Sequence, residues 1–396
     1  MTAPDASAHG PEGTIIHGVR LVTDGAETSD AWVEMRDGAV AAVGTGGDWR
    51  SRSATATVVD AREVAGAGAV LAPGFIDIHG HGGGGFSYEG SESDIRGARA
   101  LHLTHGTTRA VLSLVSGPLG HLTAQVERIA QLTRTDADIL GSHLEGPFLD
   151  AGHRGAHDPG TLRAATPEAL AALLNAGSGT IRQVTLAPEL PGAGDAIRAF
   201  REAGAAVAVG HTGADVETSR AAFEAGASIL THAFNAMPPL HHRAPGPVAA
   251  ATADPRVTLE VIADGVHVHP ELIRMLFAAA PGRVALITDA MAAAGADDGR
   301  YVLGELDVDV AAGVARLAGT DTIAGSTLTQ DAALRVARAA GVELPAAVDA
   351  LTRVPAAAIG IEVRHGSLRT GSVADAVLLD SRLEPRAVWL EGRRVR

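Results

Sequence analysis

Between Leu71 and Ile359 the chain alternates short apolar runs with amphipathic stretches, and this alternation limits the available folds more than any other feature. Strand candidates are Phe75–Ile78, Ala110–Leu112, Ile139–Ser142, Ile181–Leu186, Ala206–Val209, Ser228–Leu230, Thr258–Ile262 and Val284–Ile287, bounded by glycine, proline or polar residues. Helical patterns such as Pro167–Asn175, Asp195–Ala203 and Val216–Ala225 fall between them. A helix between successive strands returns the chain in parallel, and eight such units in this length suggest a closed barrel. The alternative is an open, doubly wound sheet, which gathers its polar residues at one crevice. Here they follow many different strands, as at the C-terminal mouth of a barrel.

Both ends carry different material. Thr14–Gly18, Ala31–Met35, Ala39–Gly44 and Val58–Asp60 are strand-like, with Asp37-Gly38 as a hairpin signal, and Gly371–Asp380 and Ala387–Gly392 resemble them. The fold class expected is α/β: a TIM-like (β/α)8 barrel over residues 71–360, with a small β-sandwich domain formed from both chain termini, residues 1–70 and 361–396. Residues 1 to about 12 are small and polar and are expected to be disordered.

Composition removes whole classes of chemistry. There is no cysteine, so disulfides, thiolate metal ligands and cysteine nucleophiles are excluded. There is also no lysine: all 32 Lys+Arg positions are arginine. Schiff-base chemistry and a lysine carbamate bridging two metals are therefore ruled out, and any metal bridge must be a carboxylate. A net charge of −14 without a long basic block argues against nucleic-acid or anionic-membrane binding over a broad surface. No apolar run approaches the ~18 residues of a membrane span, and a cytoplasmic enzyme is expected.

Chemistry-bearing residues recur at strand ends. Phe75–Ile78 runs into His79-Gly80-His81 and four more glycines. In extended backbone, residues i and i+2 share a face, so both imidazoles can reach one point, as a borderline metal such as zinc requires. Further along, Ser142-His143-Leu144-Glu145-Gly146-Pro147, Gly210-His211-Thr212, Thr231-His232-Ala233-Phe234-Asn235-Ala236-Met237 and Ile287-Thr288-Asp289-Ala290 each follow a strand candidate. A single histidine at a strand end is usually a hydrogen-bonded structural residue, and a single glutamate a loop ion pair. Histidines, a glutamate and an aspartate all at one end of a barrel are not explained by packing.

These motifs, with Pro73–Gly82, Ala263-Asp264-Gly265-Val266-His267 and Ile287–Ala292, resemble the N-acetylglucosamine-6-phosphate deacetylases, a family of the amidohydrolase superfamily. The resemblance spans Asp37-Gly38 to the C-terminal strands. It implies hydrolysis of the N-acetyl group of N-acetylglucosamine 6-phosphate to glucosamine 6-phosphate and acetate. Glu145, His211 and His232 match the principal metal ligands, and His79 and His81 match a pair that can hold a second metal bridged by Glu145. The implied cofactor is a divalent metal, Zn²⁺ first and Fe²⁺, Co²⁺ or Mn²⁺ as alternatives, one or two ions per subunit. Asp289 matches the catalytic aspartate, base and then acid, and His143 is a candidate to polarise the carbonyl. Asn235, Ala236, Arg243, His267, Ala156 and Ile323-Ala324-Gly325-Ser326 match substrate-contacting positions, Arg243 as the phosphate ligand. His153–His157 is a candidate lid. The resemblance also implies a homodimer whose partner chain closes the phosphate site. Competing readings are an amidohydrolase acting on a related N-acyl sugar or amino acid, and a non-catalytic sugar-phosphate sensor. His9, His17, His102, His105, His121 and His365 lie outside any motif and are read as structural or exposed.

Overall fold

A computed structural model describes residues 13–396, so the expectations for residues 1–12, His9 among them, fall outside it. Eight parallel strands form the barrel: β1 (Phe75–Asp77), β2 (Thr107–Leu114), β3 (Ile139–Glu145), β4 (Ile181–Leu186), β5 (Ala206–Val209), β6 (Ile229–Leu230), β7 (Thr258–Ile262) and β8 (Val284–Ile287). Each pairs with its sequence neighbour, in unbroken order from β1 to β8. All eight strand candidates are present, and β2 is buried along its whole length, as a strand covered on both faces must be. Helices Pro167–Gly177, Ala193–Glu202 and Val216–Ala225 cover the outside. The first has Pro167 in its first turn behind the Thr166 cap, and the third is capped by Asp215.

The ring closes differently between β1 and β8. No ladder joins these two strands; groups on other elements bridge them. The Gln330 Nε2 amide donates to the carbonyls of Ile76 (2.9 Å) and Leu286 (3.3 Å), while its Oε1 accepts from Thr107. Ala350 and Leu351 insert their carbonyls as acceptors for the Leu286 and Ile76 amides. Nearer the mouth, Asp77 accepts from the Thr288 hydroxyl at 2.6 Å, the Asp289 amide donates to the His79 carbonyl and the His81 amide to that of Ala290.

Residue Asp331, next to the bridging glutamine, is held by His105, Thr329 and Arg335. Burial alone would raise its pKa; the hydrogen bonds from His105 and Thr329 overcome this and bring it to about 2. The folded value lies below the unfolded one of about 3.9. The ionised Asp331 carboxylate therefore stabilises the fold above about pH 4, and the contribution is lost as pH falls toward 2. Asp331→Asn is expected to cost on the order of 2 kcal/mol at pH 7, a gap that narrows below about pH 4. Urea unfolding of both proteins across a pH series measures it.

The two termini build one hydrogen-bonded sheet. Gly13–Thr23 pairs with Ala26–Arg36 on one side; its other edge is shared between Ala56–Asp60 and Val70–Pro73. The changeover falls at Gly18, whose φ of +74° suits glycine and lets the strand bend. Val70–Pro73 then pairs with Ala376–Leu379 from the far end of the chain, followed by Pro385–Leu390 and Arg393–Arg394. The sheet wraps its own apolar cluster, including Ile16, Val33, Leu71, Leu378 and Trp389. The small β domain expected from both termini is thus present, its strands hydrogen-bonded as one branched sheet. Arg109 on β2 ties it to the barrel through a buried two-pronged pair with Asp375, at 2.7 and 3.2 Å.

One further element was not anticipated from the sequence. After β8, Gly299–Leu303, Leu306–Ala311 and Val314–Leu317 form a three-stranded antiparallel sheet. Its inner face packs Leu303, Val308 and Ala315 against Val115, Ala156 and Met291, so it walls one side of the barrel mouth.

Candidate metal and substrate site

The backbone itself aims the mouth residues. His211, His232 and Asp289 stand just past β5, β6 and β8 with φ of +47°, +24° and +49°. Non-glycine residues avoid this left-handed region, at a cost of about 1–3 kcal/mol each. At the end of a strand it reverses the chain at once and turns the side chain in over the barrel axis. His79 and His81 follow β1, and Glu145 is the last residue of β3.

Two groups of potential ligand atoms result: Glu145 with His211 and His232, and His79 and His81 with Asp289, all buried. The Nε2 atoms of His211 and His232 are 2.9 Å apart and lie 3.1 and 3.3 Å from Glu145 Oε1. His79 Nε2 is 3.2 Å from the same oxygen. His81 Nε2 is 3.2 Å from both Glu145 Oε2 and Asp289 Oδ1. Glu145 therefore touches both groups, Oε1 facing His211, His232 and His79, and Oε2 facing His81.

Second contacts fix which nitrogen is bare. His211 Nδ1 faces the His153 carbonyl at 3.0 Å and must carry the proton, leaving Nε2 as a lone pair. His79 Nδ1 faces the Glu260 carboxylate at 3.0 Å with the same result, and its buried Nε2 has no hydrogen bond. Bare imidazole nitrogens converging on ionised carboxylates repel unless a cation lies among them. The donor set of nitrogens and carboxylate oxygens suits a divalent ion of borderline character.

The ligand groups open into a cavity of about 360 Å³, of a size for a small polar molecule. Of the candidate residues, His81, Glu145, Ala156, His211, His232, Asn235, Ala236, His267, Asp289, Ile323 and Gly325 line it. His267 is held by Asp264, its Nδ1 at 2.6 Å from the carboxylate.

Other candidates sit elsewhere. His143 is fully buried on β3 with Nδ1 on Ser113 and Nε2 on Thr185, and it does not face the cavity. Lying two residues before Glu145 on the same strand face, it falls one layer deeper in the barrel. With both ring nitrogens engaged there, it does not reach a substrate carbonyl in the cavity, contrary to the expectation from sequence. Ala324 and Ser326 are likewise buried off the cavity; the Ser326 amide donates to the Asp289 carbonyl at 2.7 Å and so supports that residue through the backbone. Arg243 lies on an exposed loop, its guanidinium 2.7 Å from His242, and none of the cavity's lining residues is an arginine.

His157 is the mouth residue that the sequence motifs passed over. Its Nδ1 accepts the Ser116 amide, so the neutral ring carries its proton on Nε2, 3.4 Å from Glu145 Oε2 and at the cavity wall. Burial above all lowers its pKa to about 4, which keeps the ring neutral at pH 7. It belongs to the 153–157 segment, where Arg-Gly-Ala-His offers no strand to mark it.

A model of the amidohydrolase family matches residues 70–395. The N-acetylgalactosamine-6-phosphate deacetylase of Escherichia coli O157:H7 is 37% identical over 384 residues, covering 96% of this chain and 98% of that protein. The N-acetylglucosamine-6-phosphate deacetylase of Danio rerio is 38% identical over 340 residues, covering 82% and 84%. Among solved structures, a mutant N-acetyl-D-glucosamine-6-phosphate deacetylase from Mycobacterium smegmatis in complex with N-acetyl-D-glucosamine-6-phosphate superposes with a TM-score of 0.91. It is 41% identical, and the match covers 97% of this chain and 99% of that one.

Proposed function

We propose that this chain, which belongs to the amidohydrolase family, removes the acetyl group from N-acetylglucosamine 6-phosphate in a reaction that depends on a divalent metal. The observation that carries the reading is the placement of Asp289. Its Oδ1 stands 3.2 Å from His81 beside the Glu145–His211–His232 group, in the same cavity.

Glu145, His211 and His232 would hold one ion, and His79 and His81, with Glu145 between, a second. Bound there, zinc or a similar ion supplies the positive charge that acidifies water and draws electrons from a carbonyl. The chain's own residues do the rest. Asp289 Oδ1 accepts a proton from the water that attacks the acetamide carbon, and delivers it to the amine nitrogen as the C–N bond breaks. The amine leaves neutral and the acyl carbon leaves as acetic acid, which ionises to acetate and passes its proton to solvent or to the released amine. His157, whose Nε2–H lies at the cavity wall, would donate to the carbonyl oxygen as it gathers charge, the role the sequence suggests for His143. Asn235 and Ala236, on the turn after His232, together with His267, line the cavity and would hold the sugar.

The phosphate end is open in a single chain, and Arg243 is the cation proposed to serve it, in a homodimer whose second subunit completes that end. A charge-assisted pair of this kind is worth about 1.5–3 kcal/mol. Arg243→Ala is therefore expected to lower kcat/KM for the phosphosugar about 10–100-fold and to leave hydrolysis of unphosphorylated N-acetylglucosamine unchanged. Acetate release from the two sugars measures it; equal effects on both would remove Arg243 from phosphate binding. N-acetylgalactosamine 6-phosphate belongs in the same assay, because the relative from E. coli O157:H7 bears that substrate's name. A higher kcat/KM on that epimer would move the substrate assignment and keep the chemistry.

A further inference from the structure

Glu260 lies in the middle of β7 between Leu259 and Val261 and is fully buried. A carboxylate in such a place costs several kcal/mol unless donors meet its oxygens. They do. Oε2 faces His79 Nδ1 at 3.0 Å and accepts the His232 backbone amide at 3.3 Å; Oε1 accepts from Gln183 Nε2 at 2.7 Å. Two of these donors belong to candidate ligands, one from each group. The proton on His79 Nδ1 points at Glu260, which leaves Nε2 bare and 3.2 Å from Glu145 Oε1. His81 has no comparable support, since its buried Nδ1 finds no partner.

We infer that Glu260 is the positioning residue for the second ion. It fixes the tautomer and direction of His79, so that His79, His81 and Asp289 can share Glu145 with the ion held by His211 and His232. The inference rests on the metal-dependent reading given above. Without the carboxylate, His79 is free to carry its proton on Nε2, where it blocks coordination.

The test is titration of metal-depleted protein with Co²⁺, followed by the visible d–d bands and by direct metal analysis, neither of which needs turnover. Wild type is expected to take two ions per chain. Glu260→Gln, close in size, should weaken the second by about 10–100-fold and leave the first unchanged. His79→Gln should remove the same ion, and adding Glu260→Gln to it should change nothing further. A residue that merely fills the barrel floor would give an additional loss in that background. Wild-type affinity for both ions in Glu260→Gln would overturn the inference, as would a wild type that takes a single ion. Loss of both ions together in a folded Glu260→Gln would also overturn it. If the glutamine variant does not fold, Glu260→Asp, which keeps the charge but falls short of His79, is read by the same criteria. A wild type that binds two ions yet releases no acetate from any phosphosugar would overturn the proposed function and leave this inference standing.

Discussion

Asp289→Asn is expected to lower kcat for acetate release by about 10²–10⁴-fold, the span that a positioned proton carrier contributes. The amide has nearly the shape of the carboxylate but cannot accept the water's proton. The backbone that places it is untouched: its amide still donates to the His79 carbonyl, and its carbonyl still accepts from Ser326. The Asp289 carboxyl is held below the usual range, so the wild-type carboxylate is ionised and ready to act as base. The prediction separates chemistry from binding. KM and the ion held by Glu145, His211 and His232 should change little while kcat falls. A variant that kept kcat within a fewfold of wild type would place the base elsewhere in the cavity. Asp321 is the other aspartate on its wall.

Glu145→Gln should fail in a different way. Its two oxygens serve both ligand groups, at 3.1 to 3.3 Å from four histidine nitrogens. Removing the charge leaves those nitrogens without the anion that balances a cation, so metal content should fall to background at both positions and activity with it. Metal analysis of the purified variant after equilibration with Zn²⁺ is the check. Retention of one full equivalent per chain would show that the histidines suffice and that Glu145 is not the shared ligand. Set beside Asp289→Asn, the pair distinguishes an inactive enzyme that keeps metal from one that loses it.

The barrel was legible because each of its strands is an apolar run with glycine, proline or polar residues at its ends, and burial on both faces demands just that pattern. The candidate ligand histidines were legible because they stand immediately beyond those runs. What escaped notice lacked such a frame. The three-stranded sheet after β8 turns at Gly304-Glu305 and at Ala312-Gly313, and Ala312 takes a φ of +51° that its identity does not advertise. His157 follows a turn rather than a strand. His143 sits at a strand end by sequence, but one pleat deeper in space, where Ser113 and Thr185 occupy its ring. Glu260 carried a signal that could have been used: a lone carboxylate inside a buried strand must have a partner. Arg243 shows the opposite limit, since a motif position can be matched while a single chain leaves it on an exposed loop.

The seam between β1 and β8 has a consequence for how the site can be altered. Glu145, His211 and His232 stand on strands joined to both neighbours by backbone ladders. His79, His81 and Asp289 stand on the two lips of the seam, laced to each other by the bonds from the Asp289 amide to the His79 carbonyl and from the His81 amide to that of Ala290. They form a clasp, mounted on struts from Gln330 and Ala350–Leu351. A displacement of one lip carries the other with it, so the proposed proton carrier Asp289 and the histidines proposed for a second ion cannot be tuned apart. The scaffold of Glu145, His211 and His232, fixed on the laddered strands, can stay still while the clasp shifts over it.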